Sequence, residues 1–134
     1  MKFLKDESGQ AVVELAIVTP ILLLILCGII DFAWIFSAQL ATDNCAREGT
    51  RYASVVTSYS TAQQNTSQRV NSVAADSIKG SITTTVIYST PENPSAGDVT
   101  VVVVSRVKTL TFVANTIFGG DTVKLTSKVT MKVG

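Results

Sequence analysis

The chain has 134 residues, 46% of them hydrophobic, and sets 11 Lys and Arg against 10 Asp and Glu, with no histidine. A formal net charge of +1 gives no basic footprint for nucleic acid. Without histidine, paired carboxylates in a cleft-like context or a nucleophile motif, acid–base chemistry has few candidates, so the expectation is a non-enzyme with no cofactor and no metal site. The length admits one small domain and a membrane element.

Residues 1–9, Met-Lys-Phe-Leu-Lys-Asp-Glu-Ser-Gly, form a short charged leader. From Gln10 to about Ser54 the chain reads as one long helix. Between Gly9 and Asp31 the only charge is Glu14, the fifth residue after the glycine. Residues 15–36 are interrupted only by Thr19, Pro20, Gly28 and Asp31. A helix over that span is about 33 Å long, enough for a hydrocarbon core of about 30 Å. The run is too long for the apolar part of a signal peptide, and no small-x-small cleavage site closes it. Trp34 stands where an interfacial aromatic anchor belongs. These features predict a single-pass membrane protein. Lys2 and Lys5 before the run are nearly balanced by Arg47 and Arg51 after it, so charge orients the span weakly. The Ser- and Thr-rich composition after residue 53 favours an exported C-terminal part.

Pro20 removes one helical hydrogen bond and is expected to bend the helix locally, which membrane helices tolerate. Residues 36–53 turn amphipathic, with Leu40, Cys45 and Tyr52 among Asp43, Arg47, Glu48 and Arg51. Glu48 and Arg51, three apart, can pair on that helix surface. Cys27 and Cys45 would lie about 27 Å apart along one helix, which excludes a disulfide between them. Residues 54–64 are polar and read as a loop. Residues 66–79 place Val70, Val73, Ala74 and Ile78 on one helical face, with Gly80 as a stop. Residues 82–88 alternate as a strand, and Pro91, Pro94 and Gly97 mark a turn. Residues 98–109 set Val99, Val101, Val103 and Val107 on one side. Residues 112–118 form a short helix or apolar loop closed by Gly119-Gly120-Asp121. Residues 123–133 alternate most cleanly, with Val123, Leu125, Val129, Met131 and Val133 inward and Lys124, Lys128 and Lys132 outward.

A carboxylate in a membrane-length apolar segment costs on the order of 2.5–3.5 kcal/mol on insertion scales, less near its ends, so the question for Glu14 is what pairs with it. The order of leader, glycine, charge at the fifth following position and apolar helix resembles a prepilin peptidase site. The segment from Gly9-Gln10-Ala11-Val12-Val13-Glu14 to Thr19-Pro20, then Gly28-Ile29-Ile30-Asp31-Phe32, looks like the TadE-like pseudopilin family. So does the later block Ala46-Arg47-Glu48-Gly49-Thr50-Arg51-Tyr52-Ala53. The resemblance covers about a third of the chain. Leu15 stands where an aromatic is frequent, and Thr50 replaces the usual alanine.

The resemblance implies a type IV pilin-like fold with a long hydrophobic N-terminal helix, and beyond Ala53 the residue pattern alone makes it α+β, with a small helix and a mostly antiparallel sheet. It divides the chain into a cleaved leader (1–9), a membrane and assembly helix (10–54) and an extracytoplasmic α+β domain (55–134). It implies a minor pilin of a tight-adherence (Tad, Flp-type) pilus in the bacterial cytoplasmic membrane, cut between Gly9 and Gln10 by a prepilin peptidase. Its partners would be other Tad pilins and pseudopilins, the inner-membrane assembly platform and lipid. Glu14 is the assembly residue, where the bland reading is a charge snorkelling at the membrane edge. Asp31 either contacts a packed neighbour or sits at the outer headgroup level beside Trp34. Arg47, Glu48 and Arg51 are a solvated helix face or a contact with the sheet or another pilin, and Gly49 permits close backbone approach. The competing functions are a permanently anchored extracytoplasmic binding module and a general secretion-system pseudopilin.

Overall fold

The computed structural model describes residues 7–56 and 58–134; Lys2, Lys5 and the rest of leader positions 1–6 lie outside the described residues. Helix α1 runs unbroken from Glu7 to Val55, 49 residues with Pro20 inside it, or about 73 Å of helix. Its two halves differ. From residue 9 to residue 30 every side chain except half-buried Cys27 is exposed, although nearly all are apolar. Beyond Asp31 one face is covered, and the covered stripe is built from small residues: Ala38, Thr42, Cys45, Ala46, Gly49, Thr50 and Ala53. Their spacing of three and four keeps them on one face. Leu40, expected among the apolar positions of this half, is instead 49% exposed.

Helix α2 spans Tyr59–Val73 and buries Ala62, Thr66 and Val70. It therefore begins inside the stretch read as loop and ends before Lys79. Both differences follow from its buried stripe, which is one alanine, one threonine and one valine and so gives little hydrophobic periodicity. Ala74 leaves the helix with extended backbone (φ −65, ψ 133). Ile78 is then buried from a turn, where the Ile78 and Lys79 amides both donate to the Ala75 carbonyl at 3.1 and 3.0 Å. Val73 is left 40% exposed.

Strands β1 (Thr83–Tyr88), β2 (Asp98–Lys108) and β3 (Thr122–Lys132) form an antiparallel sheet in the order β1-β2-β3. The register sets Val86 against Val101 and Val101 against Val129. Alternation decides the faces. Val99, Val101, Val103, Ser105 and Val107 are buried, with Leu125 and Ser127 beside them, while Lys124, Lys128 and Lys132 stay outside. Met131 lies on the inner side but at the open end of β3, and is 36% exposed. Helix α1 covers β2 and β3 and helix α2 covers β1, giving two layers around one core. Gln63 on α2 also ties down β1: its amide donates to the Thr84 carbonyl at 2.7 Å and its oxygen accepts from the Val86 amide at 2.8 Å. Between β2 and β3 lies the short helix α3, Phe112–Phe118, ended by left-handed Gly119 at φ +70. The architecture is α+β, with a long apolar N-terminal helix, a short helix and an antiparallel sheet.

Candidate assembly site

Gly9, Gln10 and Glu14 all lie within α1 and are exposed. Gln10 and Glu14 are four apart, so they sit one above the other on the helix. Among the described residues Glu14 has no hydrogen-bond or ion-pair partner. The most apolar 18-residue window of the helix has a mean hydropathy of 2.7, and none of it is covered by the rest of the chain. A helix this long, apolar and bare fits a single-pass membrane anchor.

Asp31 occupies the point where the bare half of α1 ends. It is 3% exposed and is held within its own chain. One carboxylate oxygen accepts the Leu110 and Thr111 amides at 2.9 and 3.0 Å, and the other accepts the Thr111 hydroxyl. Asp31 thus fastens the start of α3 to α1. Three residues on, the Trp34 indole N–H donates to the Lys108 carbonyl at 3.0 Å. The two contacts pin the end of β2 and the start of α3 to one turn of α1.

The block from Ala46 to Ala53 divides by size. Ala46, Gly49, Thr50 and Ala53 face the core, while Arg47 and Arg51 are exposed. A Cβ on Gly49 would meet Val70 Cγ2 at 2.7 Å and Val101 Cγ1 at 3.3 Å. Only a glycine lets α1 approach both α2 and β2 this closely. The Thr50 hydroxyl donates to the Ala46 carbonyl at 2.6 Å and reaches the Val129 carbonyl at 3.3 Å. At the far end, the Tyr88 hydroxyl donates to the Ala53 carbonyl at 2.9 Å, and burial, with Tyr59 nearby, pushes its acidity to higher pH.

Glu48 does not pair with Arg51. Its partner is Arg69 on α2, whose guanidinium donates at 2.6 and 3.1 Å. That hydrogen bond, against some desolvation and with Arg69 and Arg51 adding Coulomb attraction, holds the Glu48 carboxyl below its usual range. The ion pair bridges the two packed helices rather than lying along one. Cys45 is 1% exposed, with burial raising its thiol pKa, which closes it to pairing between folded chains.

Arg69, Leu110 and Thr111 are the partners that sequence reading missed. Arg69 is 21 residues from Glu48 on a separate helix, and Thr111 is 80 residues from Asp31. A threonine just before a short, mostly apolar stretch is a weak helix-start signal, and nothing local names its partner.

The family model of TadE-like proteins matches residues 9–51, a stretch that takes in Gly9, Glu14, Asp31 and the block from Ala46 to Arg51. It is the family that these motifs resemble. The match associates the chain with Tad pilus systems and their components, and the bare apolar helix fits a single-pass membrane anchor in a pilus-related protein. No curated protein and no solved structure matches the chain.

Proposed function

We propose that the chain is a minor pilin, a pseudopilin needed for assembly of a Tad/Flp-type IV pilus. A prepilin peptidase cleaves it after Gly9, and it enters the assembly through its apolar N-terminal helix, with the C-terminal domain outside the cytoplasmic membrane. The supporting observation is Glu14: a single exposed carboxylate, one helical turn from Gln10, on an otherwise bare apolar helix. Cleavage would free the α-amine of Gln10, with an ordinary pKa of about 7.7–8.0 and so mostly cationic at neutral pH. Glu14 of the same chain or of a neighbour would then accept that charge. In a low-dielectric surround the pair interacts far more strongly than in water. Removing one member costs about 3–5 kcal/mol, enough to fix the axial register of one subunit against the next.

Chemistry at a substrate has no part in this role. The other partners are Tad pilins and pseudopilins and the membrane platform that assembles them. The substantial C-terminal domain favours a minor, initiating or tip-associated position, because a major pilin of such systems is little more than the helix. The test is complementation of a pilus-deficient strain lacking this gene. Glu14→Gln is expected to leave leader removal intact and to weaken subunit association about a hundredfold or more, so that filaments are lost. Filaments at the wild-type level would overturn the assembly role of Glu14.

A further inference from the structure

The C-terminal domain carries a second apolar surface at the level where the bare half of α1 ends. Leu110, Phe112, Ile117 and Phe118 are 56, 71, 73 and 57% exposed. They lie in a stretch, residues 109–120, without a charged side chain. Asp31 fixes the start of this stretch to α1, so its position relative to the apolar helix is set. Gly28, Phe32 and Ile35 of α1, with Ala114, Ile117 and Phe118 of α3, line an apolar cleft of about 340 Å³. Gly28 to Ile35 is about 10 Å of helix, so the cleft overlaps the last turn of the apolar run and the turn after it.

Cations gather immediately beyond this surface. Lys79, Arg106 and Lys108 share a groove with Trp34 and Leu110, and Lys124 stands directly opposite Arg106 across the β2–β3 pair. The exposed acids at this end are Asp76, in the same groove, and Asp121, while Asp31 is buried and bonded to Leu110 and Thr111. Like charges directly opposite on two strands destabilise the pairing, and an anionic surface would relieve that repulsion. Apolar side chains at the tip with cations one layer behind match the layering of acyl chains and phosphate at a membrane interface.

We propose that Leu110 and α3 form a second membrane contact, a foot inserted among the headgroups and upper acyl chains of the leaflet that α1 leaves. Lys79, Arg106, Lys108 and Lys124 then face lipid phosphate. Lipid is the occupant because the patch is continuous with the apolar surface of the span itself and the charge behind it is complementary to phosphate. The inference rests on reading residues 9–30 as the membrane span. It means that the domain is held against the bilayer instead of standing away on a stalk, and a subunit leaving the membrane must withdraw the foot as well as the helix.

The test uses the full chain reconstituted into phosphatidylglycerol-containing vesicles whose lipids carry bromine on upper acyl carbons, with Trp34 kept as a constant background. One tryptophan is added at a time: Ile117→Trp or Phe118→Trp on the foot, Leu23→Trp in the span, and Ile87→Trp on the outer sheet face, where the native residue is 52% exposed. The foot positions are already open, so these changes leave the core untouched. The added emission at 117 and 118 is expected to be quenched as strongly as that at 23, and that at 87 to be spared. If 117 and 118 behave like 87 while 23 is quenched, the foot lies outside the lipid, bare or covered by a second copy, and the inference fails with the span reading intact. If 23 is also spared, the span reading fails and takes the inference with it.

Discussion

At Gly49 the packing of α1 overrides ordinary helix preference. Alanine would favour the helix by about 0.5–1 kcal/mol. Its methyl, however, would lie 2.7 Å from Val70 Cγ2 and 3.3 Å from Val101 Cγ1. Both valines are fully buried, and their branched side chains have little rotamer freedom with which to yield. Overpacking of this kind costs about 1–3 kcal/mol, so Gly49→Ala is expected to lower the denaturation midpoint of the detergent-solubilised protein. An unchanged or raised midpoint would contradict the close approach. Thr66, which touches the same site, behaves in the opposite sense. Its hydroxyl is buried and has no hydrogen-bond partner, and such a group costs about 1–3 kcal/mol. Thr66→Val keeps the shape and removes the oxygen, so the midpoint is expected to rise; a fall would show that the hydroxyl is satisfied in solution. Thr50, by contrast, departs from the usual alanine without leaving an orphan, because the Ala46 carbonyl takes its proton.

Elements differ in how far their sequence announces them. The β2 and β3 strands were legible because valine, leucine and lysine alternate with a period of two, and the pleat turns that alternation directly into an inside and an outside. The helix half beyond Asp31 was legible as a helix but not in its buried face. Gly49 is the exception, legible as a point of close approach; Ala38, Thr42 and Thr50 carry little hydrophobicity, and they are buried because they are small enough to let the sheet come close. Helix α2 was displaced for the same reason. The short helix α3 was legible in extent but not in place, since its fastening to Asp31 joins residues 80 apart. That fastening has a local consequence. Asp31→Ala is expected to speed hydrogen exchange at the Leu110 and Thr111 amides toward unprotected rates, with Val101 and Val103 in the central strand unchanged. Unaltered exchange at Leu110 and Thr111 would show that Asp31 does not hold them.

As a whole the molecule joins an apolar helix that finds no cover among the described residues to a two-layer domain that packs on the same helix. Asp31 and Trp34 stand at the junction. The bare half fits a membrane or a bundle of like helices, and Glu14, near its start, either snorkels at the membrane edge or takes a cationic partner. Cleavage between Gly9 and Gln10, as proposed, would supply a cationic partner from the chain itself. The most direct test is the intact mass of the membrane-extracted protein, produced with and without a prepilin peptidase. Loss of Met1 to Gly9 only when the peptidase is present is the expected result, with Gln10 as the new terminus. A full-length chain in both preparations would contradict the account and leave Glu14 without its amine, in a permanently anchored protein.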